Sequence, residues 1–454
     1  MGEKIFLFIA FMVSCFIELK PMPDNHFLDW SLYQMGVHSS RTLAWLMWLI
    51  GSLFYAYQYV LRVLPNIMMP EVMHKFQVDA HLFGQFSGFY YVGYALMHIP
   101  IGLLLDKLGP KWVLPMCILL TVIGLLPLVY SETWFYTVIG RGLIGIGSSG
   151  AILGVFKIIR LAFPEAHFTR MLGFSVTLGL VGAIYGGQPV NYLMQHLGWE
   201  KVIQLIAVVG MGLALLTFIL VPNQPQSTQS HSMWQDIKSV LTNFRVLAIC
   251  ILAGMMVGPL EGFADVWGTE FLKAVYQLDL AMAAFLPSLL FLGMCFGSPL
   301  LSLLAEKTQA FFGLITCCAM IMATSFILIL SQSLGAYWLS VLFFGIGMCC
   351  AYQILAIYKA STFVQESQVG LTTACANMII MIFGFVFHSQ IGRILVNSWD
   401  GQLSSLHTPQ YSAQAYIDAI SIIPWGLGGA ALGFGLIWMN QARFAALETN
   451  ANKF

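Results

Sequence analysis

The chain has 454 residues, of which 59% are hydrophobic and 9% are charged, and its 20 basic residues balance 20 acidic ones. Soluble globular proteins carry about 25% charged residues, so this composition excludes a protein whose whole surface faces water. Zero net charge gives no basic field for a nucleic-acid partner, and we expect none. We therefore expect most of the protein surface to face lipid.

An extension of 42 residues precedes the first long apolar stretch. Its apolar run, Ile5–Ile17, is shorter than the roughly 20 residues that cross a bilayer, and the segment Lys20–Arg41 is polar. The run has the length of a secretory signal, but no small-residue cleavage site follows it. We expect residues 1–42 to be an interfacial extension, or a product of a start codon upstream of Met35.

Apolar stretches long enough to cross a bilayer recur twelve times after this extension. They predict spans at 43–64, 82–105, 111–130, 134–159, 170–195, 201–221, 246–271, 280–304, 310–331, 336–358, 366–395 and 415–439. The polar stretch "PNQPQSTQSHSMWQDIKS" (222–239) separates the sixth span from the seventh. The predicted domains are an N-terminal half at 43–221, a cytoplasmic loop at 222–245, a C-terminal half at 246–440 and a tail at 441–454. Lysines and arginines concentrate on the side of the termini, which predicts that both termini are cytoplasmic.

The two halves repeat each other. "GLLLDKLGPK" (102–111) follows the second span and "SLLAEKTQ" (302–309) follows the eighth, with Asp106 matching Glu306. At the same offset, "GIG" at 145–147 returns at 345–347. Two unrelated motifs that agree on one offset indicate a duplicated six-helix unit. The predicted fold class is an all-α membrane protein with twelve transmembrane helices in two pseudo-symmetric halves.

Three motifs carry a resemblance to the major facilitator superfamily. "GLLLDKLGPK" resembles its loop signature Gly-x-x-x-Asp-Arg/Lys-x-Gly-Arg/Pro-Arg/Lys, and "RGLIGIG" (141–147) resembles its fourth-helix Arg-x-x-x-Gly-x-Gly. "GAIYGG" (182–187) resembles the fifth-helix motif, although Ala183 replaces its proline. The layout of residues 57–100 also resembles the intraphagosomal amino-acid and nucleoside transporter family of intracellular proteobacteria. The first resemblance implies two six-helix halves that rock around a central site.

The resemblance also implies gating residues. In the family, a charge cluster after the second helix latches the halves in one state; the alternative here is plain anchoring by basic residues at the cytoplasmic surface. Arg141 lies too deep in its span to be an ordinary surface charge. The resemblance implies a role in gating or proton transfer, and the alternative is that its side chain snorkels to the interface. The candidate gating residues are Gly102, Asp106, Lys107, Gly109, Lys111, Arg141, Glu306 and Lys307.

Two carboxylates, Glu261 and Asp265, lie inside the seventh span in "GPLEGFADVWG" (258–268). Four residues apart on a helix, they share one face, and both are costly to bury. The repeat offset makes Gly262 the counterpart of Arg62, and the resemblance implies that the first and seventh helices line the central cavity. A structural ion pair with Arg62 needs one acid. Because two adjacent carboxylates do not both ionise cheaply, the second acid indicates a proton-coupling site.

Other polar residues of the spans are candidates for substrate contact. Tyr55, Gln58, Tyr59 and Arg62 follow each other at three- and four-residue spacing, which predicts one helix face. For a single tyrosine, helix packing or an interfacial position is the alternative, and for His388 the alternative is a satisfied buried histidine. The remaining candidates are Tyr91, Tyr94, Gln353, Asn377 and His388.

These observations predict a monomeric secondary transporter of a bacterial inner membrane, which takes up a small polar or zwitterionic solute, such as an amino acid, with protons. The alternative is a proton antiporter that exports a siderophore or a drug-like compound. An intramembrane enzyme or a non-transporting receptor has little support, because no HExxH or GxSxG motif occurs. No Walker loop, cofactor motif or metal-ligand cluster is present in the sequence, so neither a cofactor nor a metal is expected.

Overall fold

The computed structural model describes residues 41–222, 233–365, 368–404 and 408–451. Within these ranges the chain is helical, and its one extended contact is an isolated bridge between Leu403 and Pro409. The predicted extension, with its candidate start at Met35, lies outside the described residues apart from 41 and 42. The same holds for 223–232 of the predicted cytoplasmic loop.

Twelve helical segments of the described ranges are long and apolar enough to cross a membrane, which confirms the predicted number. They are α1 (Thr42–Val63), α2 (Ala80–Leu108), α3 (Pro110–Tyr130), α4 (Trp134–Ala162), α5 (Arg170–Leu197), α6 (Trp199–Leu220), α7 (Phe244–Tyr276), α8 (Leu280–Thr308), α9 (Phe311–Leu330), α10 (Ala336–Ser361), α11 (Val369–Asn397) and α12 (Ala413–Asn440). A connecting helix, Pro65–Phe76, follows α1, and a linker helix, Met233–Thr242, lies in the stretch that was predicted as a loop.

The helix bundle has two ends, which we call the far end and the near end. The far end is the one where α1 ends at Val63 and α2 begins at Ala80. The near end is the one where α2 ends at Leu108 and α3 begins at Pro110, and it is the end that the sequence predicts to be cytoplasmic.

Polar side chains mark where several spans begin. The first N–H groups of a helix have no partner inside it, and a side-chain oxygen just before the helix satisfies one of them. Such oxygens accept hydrogen bonds from backbone N–H groups two or three residues further on at Asp79, Asn243, Asp279 and Ser412. These caps define the starts of α2, α7, α8 and α12.

Several spans are interrupted helices. The interruptions fall at Ser149 in α4, Gly187 in α5, 255–257 in α7, 286–287 in α8, Ala351 in α10 and Ser421 in α12. Spans α4 and α10 are the fourth helices of their halves, and their interruptions lie close to the repeat offset of about 200 residues. The duplication is therefore visible in the backbone as well as in the motifs.

Equivalent glycines pack equivalent helices in the two halves. A Cβ atom on Gly93 of α2 would overlap the carbonyl oxygen of Gly142 in α4, and one on Gly293 of α8 would overlap that of Phe344 in α10. The two glycines are 200 residues apart, as the motifs are. Small residues let helix backbones approach closely inside a membrane. This shared packing agrees with the predicted pair of pseudo-symmetric halves.

The halves meet mainly where α2 packs on α11 and α5 packs on α8. Between the middle of the spans and the far end, the backbones of α2 and α11 nearly touch: a Cβ on Gly84 would overlap the His388 carbonyl oxygen, and one on Gly392 would overlap that of Ala80. The amide of Thr269 in α7 also donates to Asn66 Oδ1 of the connecting helix at 2.9 Å. These contacts hold the far end closed.

We expect Gly93→Ala to destabilise the protein by about 1–3 kcal/mol, because the added methyl group overpacks the α2–α4 contact. Gly345→Ala is the matched control, since no atom lies within 4 Å of the position that its Cβ would take. Thermal unfolding of the purified variants in detergent measures both. A Gly93→Ala melting temperature equal to that of Gly345→Ala would contradict the packing argument.

Candidate functional site

Arg62 in the last turn of α1 contacts both carboxylates of α7. Its Nε donates to Asp265 Oδ2 at 2.6 Å, and its Nη2 lies 3.1 Å from Glu261 Oε1. The exposed fractions of Arg62, Glu261 and Asp265 are 6%, 1% and 0%. The arginine belongs to the N-terminal half and the acids to the C-terminal half, so these buried ion pairs join the two halves.

The segment that carries both acids is wound as a π-helix, Gly258–Trp267, after an interruption at 255–257. The sequence predicted an ordinary helix here. Hydrogen bonds of a π-helix run from residue i to i+5, so Glu261 and Asp265 still lie within one turn and on one side. Such turns are rare and occur frequently at functional sites. The π-helical winding therefore presents both carboxylates to Arg62.

Neutral side chains from two other spans hold the acids. Tyr91 of α2 donates its hydroxyl hydrogen to Asp265 Oδ2, and Gln353 of α10 donates from Nε2 to Glu261 Oε1 at 3.2 Å. Within the described parts of the chain, Asp265 Oδ1 and Glu261 Oε2 have no hydrogen-bond partner. Each acid thus keeps one oxygen available for a proton or for a ligand.

Aromatic rings flank the guanidinium group. The centres of the Tyr59 and Tyr91 rings lie 5.3 and 5.4 Å from the Arg62 Cζ atom, within the range of cation–π attraction. Tyr55 meets Tyr59 edge to face at 5.2 Å. Of the residues that the sequence grouped on one face of α1, Tyr59 is therefore in contact with Arg62, and Tyr55 is in contact with Tyr59.

Arg141 of α4 binds the backbone of α1 next to Arg62. Its Nη1 donates to the Leu61 carbonyl oxygen at 2.7 Å and its Nη2 donates to the Arg62 carbonyl oxygen at 3.0 Å. Leu61 needs this donor because Pro65, four residues later, has no N–H to give. Arg141 is buried and bonded inside the protein, rather than extended towards an interface. Pro65 is the sequence signal that could have indicated this contact.

Arg141 changes the charge count of the site. The sequence predicted a site with one arginine and two acids. In the structure Arg141 lies within electrostatic range of Asp265, so two arginines accompany Glu261 and Asp265. With both acids ionised, this buried group is neutral, and one added proton makes it positive. The arrangement can therefore take up or release charge without a metal or a cofactor.

The other candidate contact residues lie beside this cluster. Gln58 Oε1 accepts a hydrogen bond from the Tyr90 hydroxyl at 2.7 Å, which links α1 to α2. Tyr94 stacks on Tyr90 at 6.2 Å between ring centres, and its hydroxyl lies near the side chain of Asn377 of α11. Gln58 is buried, whereas Tyr94 and Asn377 keep part of their surface accessible.

His388 of α11 is fully buried, with its ring centre 5.6 Å from that of Tyr91. Among the described residues neither of its ring nitrogens has a hydrogen-bond partner. The assignment of His388 to substrate contact stays a prediction. Its ring reaches the acids through Tyr91, not by direct contact.

The candidate gating residues lie mainly at the near end. Asp106 Oδ1 pairs with Lys157 Nζ of α4 at 2.9 Å, which is a contact inside the N-terminal half. Lys157 was not among the sequence candidates. Gly109 joins α2 to α3 with a φ of 79°, which favours glycine, and Lys111 lies over the Phe218 ring at 5.1 Å. The exposed near-end candidates are Asp106, Lys107, Glu306 and Lys307.

No three His, Cys, Asp or Glu side chains of the described ranges are grouped as ligands for a metal ion. The ionisable residues of the site are instead arranged as opposite charges in direct contact, with tyrosine and amide groups around them. This arrangement can exchange ion-pair partners and protons.

Curated relatives cover part of the chain. A putative metabolite transport protein NicT of Pseudomonas putida is 26% identical over 185 residues, which are 38% of this chain and 42% of the relative. A putative multidrug resistance protein MdtD of Yersinia pestis is 24% identical over 197 residues, 42% of this chain and 41% of the relative. The matches span about two fifths of these relatives.

Solved structures with this fold cover most of the chain. A bacterial homolog of the human lysosomal transporter Spinster, in an inward-facing and unoccupied conformation, superposes with a TM-score of 0.67 at 15% identity, over 88% of this chain and 98% of that one. The nucleoside transporter NupG gives 0.65 at 16% identity, over 87% and 99%. The family model of the Major Facilitator Superfamily matches residues 46–388, which is most of the chain. The chain belongs to the major facilitator superfamily.

Proposed function

We propose that this protein is a secondary active transporter that takes up a small polar or zwitterionic solute, such as an amino acid, together with protons. The observation that carries the proposal is the buried contact of Arg62 with Glu261 and Asp265 across the interface of the halves. Each acid also keeps one oxygen without a hydrogen-bond partner among the described residues, which supports one of them as the proton-binding group. We also propose that it is a monomer in a bacterial inner membrane with both termini cytoplasmic; the distribution of basic residues supports this orientation of the termini.

Protonation of one acid would release part of the guanidinium. A neutral carboxyl group loses most of its attraction for Arg62, while Tyr91 or Gln353 still binds it. The cluster then carries one positive charge, and the guanidinium has free donors. Proton binding and solute binding are coupled in this way, because each changes the partners available to the other.

A zwitterionic solute would then supply new partners for Arg62 and for the acid that stays ionised. Arg62 has a planar fork of donors that suits a carboxylate, and Tyr59 and Gln58 lie in the same turns of α1. The acid that stays ionised attracts an ammonium group. A solute bound in this way touches both halves, which is the state-dependent contact that alternating access requires. The competing hypothesis is a permanent Arg62–Asp265 pair, with the solute held elsewhere.

The acid pair is tested by its amide variants. A thermal-shift screen of amino acids, nucleosides and siderophores first identifies a solute. In proteoliposomes, we expect Glu261→Gln or Asp265→Asn to lower accumulation driven by a pH gradient at least tenfold and to retain solute exchange, because the amide binds no proton. Glu132→Gln, at an exposed far-end position, is the control. If both single variants accumulate the solute as the wild type does, the acids do not carry the proton.

The zwitterion bridge is tested at Arg62. Arg62→Lys keeps the charge but loses the fork, and we expect about tenfold weaker solute binding or more, since hydrogen bonds between charged groups are worth about 1.5–3 kcal/mol. Arg393→Lys, at an exposed site on α11, is the matched control. Affinity is measured by titration of the purified proteins.

A charge swap separates the two hypotheses. Under the bridge, the double variant Arg62→Asp/Asp265→Arg stays inactive, because the fork is on the wrong helix. A permanent ion pair predicts that the swap restores transport. Undiminished affinity in Arg62→Lys, or full rescue in the swap, would contradict the bridge.

Export is the second candidate. It is supported by the Yersinia pestis relative that is named a putative multidrug resistance protein. We expect right-side-out vesicles to accumulate the solute when the outside is acidic. A proton antiporter would instead load everted vesicles whose interior is acidic, and solute binding without flux in either orientation would contradict transport altogether.

A further inference from the structure

A tyrosine of the connection between α11 and α12 reaches the opposite half of the protein. Tyr411 Oη accepts a hydrogen bond from the backbone amide of Ala80 at 3.0 Å. Ala80 is the first residue of α2 and belongs to the N-terminal half. Tyr411 is 7% exposed, so this bond is shielded from water.

The bond satisfies a group that α2 cannot satisfy itself. The first four N–H groups of a helix have no acceptor within the helix. The Asp79 side chain accepts from the amide of Leu82 at 2.9 Å, and Tyr411 accepts from the amide of Ala80. One of the caps of α2 therefore comes from the other half of the molecule.

Tyr411 is held firmly on the C-terminal half. It directly precedes Ser412, which caps α12, and its ring meets that of Tyr416 edge to face at 6.4 Å. In the same connection, the amide of Gln410 donates to the carbonyl oxygen of Gln402 at 3.0 Å. The tyrosine will therefore move with α12 when the halves move.

The neighbouring contact brings the same two halves together. The carbonyl oxygen of Ala80 faces Gly392 of α11 so closely that no Cβ would fit there. The C-terminal half thus contacts both polar groups of the Ala80 backbone, the amide through Tyr411 and the carbonyl through Gly392. The far end cannot open between α2 and α11 unless Tyr411 leaves Ala80.

We propose that Tyr411 is a gating residue that stabilises the closed far end during transport. The proposal rests on alternating access by the two halves, as in the proposed function. It does not depend on which ion or solute is carried.

The hydrogen bond between Tyr411 and Ala80 is expected to be insensitive to physiological pH. Burial raises the pKa of Tyr411 to about 12, with a further increase from the Asp79 carboxylate and an opposing effect of the hydrogen bond from Ala80. The phenol therefore keeps its proton at physiological pH, and its oxygen remains a neutral acceptor. Any pH dependence of far-end opening has to come from other groups.

The test removes the hydroxyl group. We expect Tyr411→Phe to raise the population with an open far end about two- to tenfold, which is the range that one neutral hydrogen bond provides. The reporter is Ser87→Cys, because Ser87 is fully buried on α2 and lies between Gly84 and Gly88, which both contact α11. A membrane-impermeant maleimide is added to the full-length protein in vesicles, and alkylation at position 87 is quantified by peptide mass spectrometry.

Tyr276→Phe is the matched control. The Tyr276 hydroxyl donates to the carbonyl oxygen of Ile329 at 2.6 Å, which is a contact within the C-terminal half. We expect faster alkylation in Tyr411→Phe from one face of the membrane, and an unchanged rate in Tyr276→Phe. An unchanged rate in Tyr411→Phe, or an equal increase in both variants, would overturn the proposal. The assay uses no solute and no proton gradient, so its failure is distinguishable from a failure of the coupling proposal.

Discussion

The buried contact of Arg62 with Glu261 and Asp265 is the interaction on which the rest of the site depends. Moving a charge out of water costs several kcal/mol, and the cost is recovered only where the partners meet in good geometry. Here the positive charge comes from one half and the negative charges from the other. The halves are therefore held at one relative position, and any other position needs a different partner for Arg62.

Arg141 fixes the geometry of this contact and adds a positive charge to it. The α-helix of α1 ends where Pro65 removes a donor, and the carbonyl oxygen of Leu61 would be costly inside a membrane without another partner. The guanidinium of Arg141 binds this oxygen and the carbonyl oxygen of Arg62, which fixes the backbone that carries the Arg62 side chain. The same residue adds the second positive charge that balances the second acid. One buried arginine thus supplies both geometry and charge balance.

The sequence predicted the features that depend on length and periodicity. The twelve spans follow from the thickness of a bilayer, and the repeat offset placed Arg62 opposite Glu261 and Asp265. The sequence did not predict the features that depend on tertiary contact. The π-helical winding of α7 has no local signal, since the glycines and proline of 258–268 are compatible with other turns. The partners Asp106–Lys157 and Ala80–Tyr411 are far apart in the chain, and no spacing rule connects them.

The magnitudes separate the roles of the Arg62 and Tyr411 contacts, which both join the halves. Removing one partner of a buried ion pair costs about 3–5 kcal/mol, whereas a neutral hydrogen bond contributes about 0.5–1.5 kcal/mol. The free energy lost with the Arg62 contact is therefore large enough to change which state predominates. The free energy lost with the Tyr411 contact is large enough only to adjust the ratio of states. Under the proposed function, protonation acts on the acids and leaves the Tyr411 phenol unchanged. Under both proposals, the charges of Arg62, Glu261 and Asp265 serve coupling, and the far-end Tyr411 sets how often the closed state opens.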